Sequence, residues 1–287
     1  MIAELPRFVL TLSCPDRPGI VAAISGCLAQ NGCNITDSAQ FGDAKTGRFF
    51  MRTSFAAPHT LGLEGAKHVF QPIFTGFAMN AEINDLGRRP KVIIMVSRFG
   101  HCLNDLLYRH RVGALPIDIA AIISNHEELR PMAEREGIEF CHIPVDPGDK
   151  PAAFAKIGEL LRFLQPDLVV LARYMQIIPT QLCEEFFGKI INIHHSFLPS
   201  FVGANPYQRA YQRGVKLIGA TCHYATPELD AGPIIDQEVI RVEHFHTPED
   251  LVRLGRDCER LALARSVRWH LADRVLMHGN KTVVFRD

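Results

Sequence analysis

From residue 91 onward the chain repeats one pattern: a short, nearly continuous apolar run, then a helical stretch, then another run. The runs are KVIIMVS (91–97), IDIAAIIS (117–124), IEFCHIP (138–144), DLVVLAR (167–173) and KIINIHH (189–195), and the clearest helical pattern between them is Ala152–Leu164. Strands that are apolar on both faces must be covered on both faces. Helices alternating with the strands do this, so the pattern predicts a mostly parallel, doubly wound α/β sheet. Ligands on such sheets bind beyond the carboxyl ends of the strands.

Residues 6–84 follow another rhythm. FVLTLSC (8–14) reads as a strand and PDRPG (15–19) as a turn, and Ile20, Val21, Ile24 and Leu28 fall on one face of a helix over 20–31. A hairpin of strands 33–41 and 48–55 around a turn at 42–47, a helix over 59–75 and a strand over 77–83 complete the order βαββαβ. That order suits a ferredoxin-like sandwich. The polar stretch 84–90, with Gly87 and Pro90, divides the chain into units of 1–86 and 90–287.

Composition narrows the function. Thirty-one basic residues balance thirty-one acidic ones among 287, so there is no field to gather nucleic acid or an anionic membrane. The start, MIAELPRFVL, has a glutamate where a secretory signal has a basic segment, and no apolar run reaches the length of a membrane span. A cytoplasmic protein is expected. Eight cysteines with no CxxC pair fit reduced thiols better than disulfides or a metal–thiolate centre.

Polar side chains interrupt the apolar pattern at two places. In KIINIHH, strand alternation puts Asn192 and His194 on one face and turns His195, read as structural, to the other. An amide beside an imidazole can hold a developing oxyanion and pass a proton to a leaving nitrogen; a polar strand end satisfied by backbone is the alternative. In IGATCHYATPELDAGPII (218–235), a strand carrying His223 runs into a turn holding Asp230. That carboxylate can orient a water and shuttle its protons, or simply cap the turn. Cys102 and Cys222 read as packing residues rather than nucleophiles. His244 and His246 have the same-face spacing of metal ligands on an extended chain but lack a further ligand at suitable spacing, so no metal is expected.

Taken together, N-I-H (192–194), S-F-L-P (196–199), G-A-T-x-H (219–223) and L-D-x-G-P-I-I (229–235) resemble the folate-dependent formyltransferase family over about residues 90–287. The resemblance implies a catalytic triad of Asn192, His194 and Asp230. It also implies a pterin slot lined by 172–178, including Met175, Gln176, Ile177 and Ile178, with Thr226 and Glu228 of the 225–230 loop opposite and His223 in support. Members that formylate glycinamide ribonucleotide carry a glycine-rich phosphate loop after the first strand. Here that loop reads SRFGHCLNDLL (97–107), with one glycine and a bulky phenylalanine.

That segment, with G-x-N-P-Y (203–207), G-R-D-x-E-R (255–260) and G-N-K-T-V-V-F (279–285), is similar to the hydrolytic branch of the family, the formyltetrahydrofolate deformylases. The branch also carries an N-terminal ACT domain, which D-R-P-G-I (16–20) and N-I-T (34–36) resemble. The resemblance implies hydrolysis of 10-formyltetrahydrofolate to formate and tetrahydrofolate, supplying formate for purine synthesis and balancing the one-carbon folate pool, with water activated near Asp230 and no tightly bound cofactor. It further implies a homo-oligomer and an amino-acid effector at Asp16, Gly19 and Asn34, or an ACT unit that only assembles subunits. Asn205 stands where a basic residue is expected in most relatives. Formyl transfer to an amine, and folate sensing without turnover, are the competing readings.

Overall fold

The structure, a computed structural model, describes residues 5–199 and 206–287. Its first unit runs β1 (Arg7–Pro15), α1 (Ile20–Gln30), β2 (Asn34–Asp43), β3 (Arg48–Ala56), α2 (Leu63–Gly76) and β4 (Asn80–Asp85). The strands form an antiparallel sheet in the order β2-β3-β1-β4. Alternate residues of β1, Phe8, Leu10, Leu12 and Cys14, pack with Ile20, Ile24 and Leu28 of α1 and Phe70 of α2. The period of two on the strand and the one-sided stripe on the helix thus meet in one core, as the sequence predicts.

Element boundaries shift where local turns intervene. The second helix starts at Leu63 rather than near 59, because a turn closed by Leu61 N–H on Pro58 C=O uses the intervening residues and Gly62 is the N-cap. The closing strand starts at Asn80, because Phe77 caps α2 and Ala78 takes a left-handed φ of 51°.

The chain end departs from the expected division. Ala272–His278 and Thr282–Asp287 cluster with the first unit, and Pro90–Leu271 and Gly279–Lys281 form the second. Arg52 donates from Nε and Nη2 to the Ala272 carbonyl (3.2 and 3.0 Å), and His278 Nε2 lies 2.7 Å from Asp43 Oδ2. These partners are far apart in sequence, so no local pattern announces them.

The second unit contains α3 (His101–Arg111), α4 (Arg130–Arg135), α5 (Lys150–Leu164), α6 (Thr180–Glu185), α7 (Pro206–Arg213) and α8 (Pro248–Leu271) around a seven-stranded sheet. The strands β5 (Lys91–Val96), β6 (Asp118–Ser124), β7 (Phe140–His142), β8 (Leu168–Leu171) and β9 (Ile190–His194) are parallel; β10 (Leu217–Tyr224) and β11 (Ile234–Arg241) are antiparallel additions. In the order β11-β10-β9-β8-β5-β6-β7, β5 is flanked by β6 on one side and β8 on the other. The crevice beyond the carboxyl ends of β5 and β8 is therefore the topological switch point. Ser97 bridges it, donating to Asn125 Oδ1 (2.7 Å) and accepting from the Met175 N–H (2.9 Å). Among the described residues no helix is long and apolar enough to cross a membrane.

Candidate active site

Sheet register sets the first part of the site. In the antiparallel pair β9–β10, His223 lies opposite Asn192 and Thr221 opposite His194. The loop after β10 then folds back, with Tyr224 N–H donating to Pro233 C=O at 3.0 Å. A Cβ on Gly232 would stand 1.8 Å from the Tyr224 carbonyl oxygen, so only glycine lets the loop close this tightly. Asp230 on that loop has a left-handed φ of 56°, a conformation aspartate tolerates better than most residues.

The result is a connected cluster. Asp230 Oδ2 lies 3.2 Å from His194 Nδ1, and Oδ1 lies 3.5 Å from His223 Nε2. His223 Nδ1 is 2.9 Å from the Tyr224 carbonyl, which can only accept, so Nδ1 carries a proton. A neutral His223 then presents a bare Nε2, which accepts from Asn192 Nδ2 at 3.2 Å. This fixes the Asn192 amide and leaves its second N–H unspent. His194 Nε2 is buried without a hydrogen-bond partner. Burial alone would raise the Asp230 carboxyl, but the hydrogen bond from His194 Nδ1 leads the interactions that outweigh it and hold the group well below the usual carboxylate range.

These side chains line a cavity of about 860 Å³. Met175, Gln176, Ile177, Ile178, Ala225, Thr226 and Leu229 also line it. Met175 and Ile177 are 50% and 65% exposed, apolar surface left open beside a cavity, as a slot for a flat ring requires. Glu228, expected in the slot, is not among the lining residues. It is exposed at the turn, where its carbonyl accepts from the Thr226 hydroxyl (3.0 Å).

The same cavity has a second wall, which the sequence reading did not assemble. Glu259 of α8 is buried, with Oε1 accepting from the Tyr207 hydroxyl (3.0 Å) and Oε2 from His101 Nε2 (2.7 Å); Arg173 Nη1 is 3.4 Å from Oε2. Phe99 lies over Arg173, with the guanidinium carbon 5.1 Å from the ring centre. Gly255, one turn before Glu259, makes this possible: a Cβ there would lie 2.0 Å from the Tyr207 hydroxyl oxygen. The spacing of Gly255 and Glu259 in G-R-D-x-E-R, which puts both on one helix face, was the available signal.

His195 also lines the cavity, contrary to the expectation that it turns away. β9 ends at His194, so strand alternation no longer governs it. Burial first, then the charge of Arg173, lowers its pKa to about 4. His101, Cys102 and Glu259 bring ligand-type atoms within 4.8 Å of one another, but both carboxylate oxygens already accept hydrogen bonds and burial pushes the Cys102 thiol well up. Cys222 is buried and its thiol is pushed up to about 12 by burial. His246 Nδ1 accepts from the Glu243 N–H (2.8 Å), a local turn contact. Asn205 lies outside the described residues.

In the first unit the expected effector residues are not brought together within one chain. Asp16 and Gly19 follow the end of β1 at Pro15, which pairs with Arg48, whereas Asn34 pairs with Ala56 at the other end of β3, opposite Arg7. Antiparallel register therefore separates them by the length of the strand.

Comparison with known proteins bears on both units. Residues 90–267 match the formyl transferase family and residues 8–62 the ACT domain family. A formyltetrahydrofolate deformylase of Corynebacterium sp. (strain P-1) is 47% identical over 99% of this chain and 100% of its own length. The crystal structure of a formyltetrahydrofolate deformylase from Pseudomonas syringae pv. tomato superposes with a TM-score of 0.96 at 52% identity, covering 99% of this chain and 96% of that one. A glycinamide ribonucleotide transformylase from Symbiobacterium toebii reaches 0.66 at 30% identity, covering 70% of this chain and 97% of that one. The likeness to the deformylases spans both units, and the chain belongs to the formyltetrahydrofolate deformylase family.

Proposed function

We propose that the chain hydrolyses 10-formyltetrahydrofolate to formate and tetrahydrofolate with Asn192, His194 and Asp230 as its working groups. The observation that carries these assignments is the state of His194: Nδ1 is backed by the Asp230 carboxylate and Nε2 is buried, unpartnered and beside a cavity. An ionised Asp230 held so far below its ordinary pKa is a poor proton acceptor. The base is therefore His194 Nε2 rather than Asp230, whose charge stabilises the imidazolium that forms.

Water attacks the formyl carbon as Nε2 takes its proton. The free N–H of Asn192 donates to the new oxyanion. Collapse breaks the bond from carbon to N10, His194 returns the proton to N10, and formic acid ionises to formate. His223 is a positioning residue, since its bare Nε2 holds the Asn192 amide in the donating orientation. Met175, Gln176, Ile177, Ile178 and Thr226 hold the pterin end. The same reading has the protein act in the cytoplasm as a homo-oligomer, without a tightly bound cofactor. An effector site made from Asp16 and Gly19 of one subunit and Asn34 of another would suit the separation of these residues in one chain.

The test is incubation with 10-formyltetrahydrofolate and no acceptor. Formate released in many turnovers per enzyme is expected. Stoichiometric binding without formate would favour sensing, and dependence on an added amine would favour transfer.

A further inference from the structure

Arg173 lines the cavity, and the hydrolytic mechanism leaves it unused. Its side chain is 9% exposed, and Nε and Nη1 are buried with no hydrogen-bond partner. Glu259 neutralises it only at a distance of 3.4 Å, because both carboxylate oxygens already accept from His101 and Tyr207 at shorter range. Unspent donors on a buried cation are costly, and such groups are normally satisfied by an anion or a polar ligand.

Backbone conformation points the same way. The non-glycine residues with positive φ among the described residues are Ala78, Gln165, Arg173, Asp230 and Asp273. Ala78, Gln165 and Asp273 fall at or just after the ends of α2, α5 and α8, where a left-handed residue commonly terminates a helix. Arg173 and Asp230 do not end helices; both line the cavity. Arginine has no side-chain chemistry that eases this conformation, so its φ of 66° marks a position set by something other than local preference. It lies two residues past the end of β8, at the switch point where α/β sheets bind ligands.

We propose that Arg173 forms a product subsite that takes the formate anion released by hydrolysis, through charge-assisted hydrogen bonds from its unspent guanidinium donors. The proposal rests on the hydrolase reading, which supplies the anion. Formate is the smallest carboxylate, and its charge matches the guanidinium. Phe99, 41% exposed over the guanidinium, is the side chain that would have to turn aside to admit it. The neighbouring His195 is neutral at physiological pH and adds no competing charge.

The experiment follows sodium [13C]formate by NMR line broadening with the full-length enzyme and tetrahydrofolate, at constant ionic strength, and measures inhibition of 10-formyltetrahydrofolate hydrolysis by formate. Wild-type enzyme is expected to bind formate in preference to chloride. R173Q, which loses the charge, is expected to weaken formate binding and inhibition about ten- to a hundredfold. R173K, which keeps the charge but loses Nε, is expected to fall between, with the KM for the folate changed far less than the formate constant in both. Equal broadening by wild type and R173Q would overturn the subsite. So would inhibition by chloride matching that by formate, a wild-type measurement that stands even if R173Q does not fold. Failure of the hydrolase reading is seen separately, as no release of formate from 10-formyltetrahydrofolate by wild-type enzyme.

Discussion

One wall of the cavity, Asn192, His194, His223 and Asp230, comes from two adjacent strands and the loop that leaves them. The other, Phe99, His101, Arg173, Tyr207 and Glu259, comes from a loop, two helix starts, a strand end and the middle of α8. Each wall buries a carboxylate and neutralises it, but by different means. On the first, the His194 imidazole holds Asp230, and a ring nitrogen and an amide N–H are left for the reacting atoms. On the second, neutral-capable donors satisfy Glu259 and the permanent cation is left with donors to spare. A titratable partner suits proton transfer, whereas a fixed cation suits holding an anion without exchanging protons with it.

If this contrast is right, removing charge from the first wall costs far more turnover than rearranging the second. Asp230→Asn keeps the shape but takes the charge from behind His194 and lets the amide impose the wrong tautomer. A fall in kcat of about 10³- to 10⁴-fold is expected from formate release assays. Folate binding, followed by fluorescence titration, should persist. A loss below tenfold would mean that Asp230 does not support the base.

Asn192→Ala removes one oxyanion donor and is expected to cost about 100- to 1,000-fold in turnover, again with folate still bound. Near-normal turnover would move oxyanion stabilisation to another group.

The two walls also differ in how far the sequence discloses them. Asn192 and His194 are separated by one residue on a strand, and Asp230 sits in a loop whose Gly and Pro mark a turn, so period and punctuation lead to them. The ferredoxin-like order and the alternating βα pattern are legible for the same reason: they are written in spacings of two and of three to four residues. Arg173, Tyr207 and Glu259 meet only because the sheet order places β8 beside β5 and α8 packs across the sheet. Their signals are the rare backbone conformation of Arg173, visible only in the folded chain, and a helix-face glycine that has meaning once Tyr207 is known to fill the space beside it. Glu228 shows the reverse error, a residue in the right loop whose side chain turns out to solvent.

Gly255→Ala tests how the second wall is assembled. The new methyl would overlap the Tyr207 ring, displacing it from Glu259 at a cost of about 1–3 kcal/mol of stability. Thermal or urea unfolding measures this. Adding Tyr207→Ala should relieve the clash, so the double variant should lose less stability than the sum of the two single changes. Additive losses would show that the ring and helix do not press on each other.

The smallest expected effect isolates the electrostatics of the second wall. His195 is held at a pKa of about 4, by burial and then by repulsion from Arg173, with Glu259 and Asp230 pulling the other way. Withdrawing the guanidinium in R173Q removes a positive charge that disfavours the imidazolium and leaves the carboxylates in place, so the His195 pKa should rise. Proton NMR titration of the ring resonances reads this directly. The sign carries over to stability: a depressed histidine pKa means that the unfolded chain binds the extra proton first, so this group destabilises the fold as pH falls from about 6.5 toward about 4. In R173Q that acid-side loss should be smaller. A His195 pKa that stays put in a folded R173Q would mean that the guanidinium does not help to set it, and that the cation on this wall is screened from this imidazole.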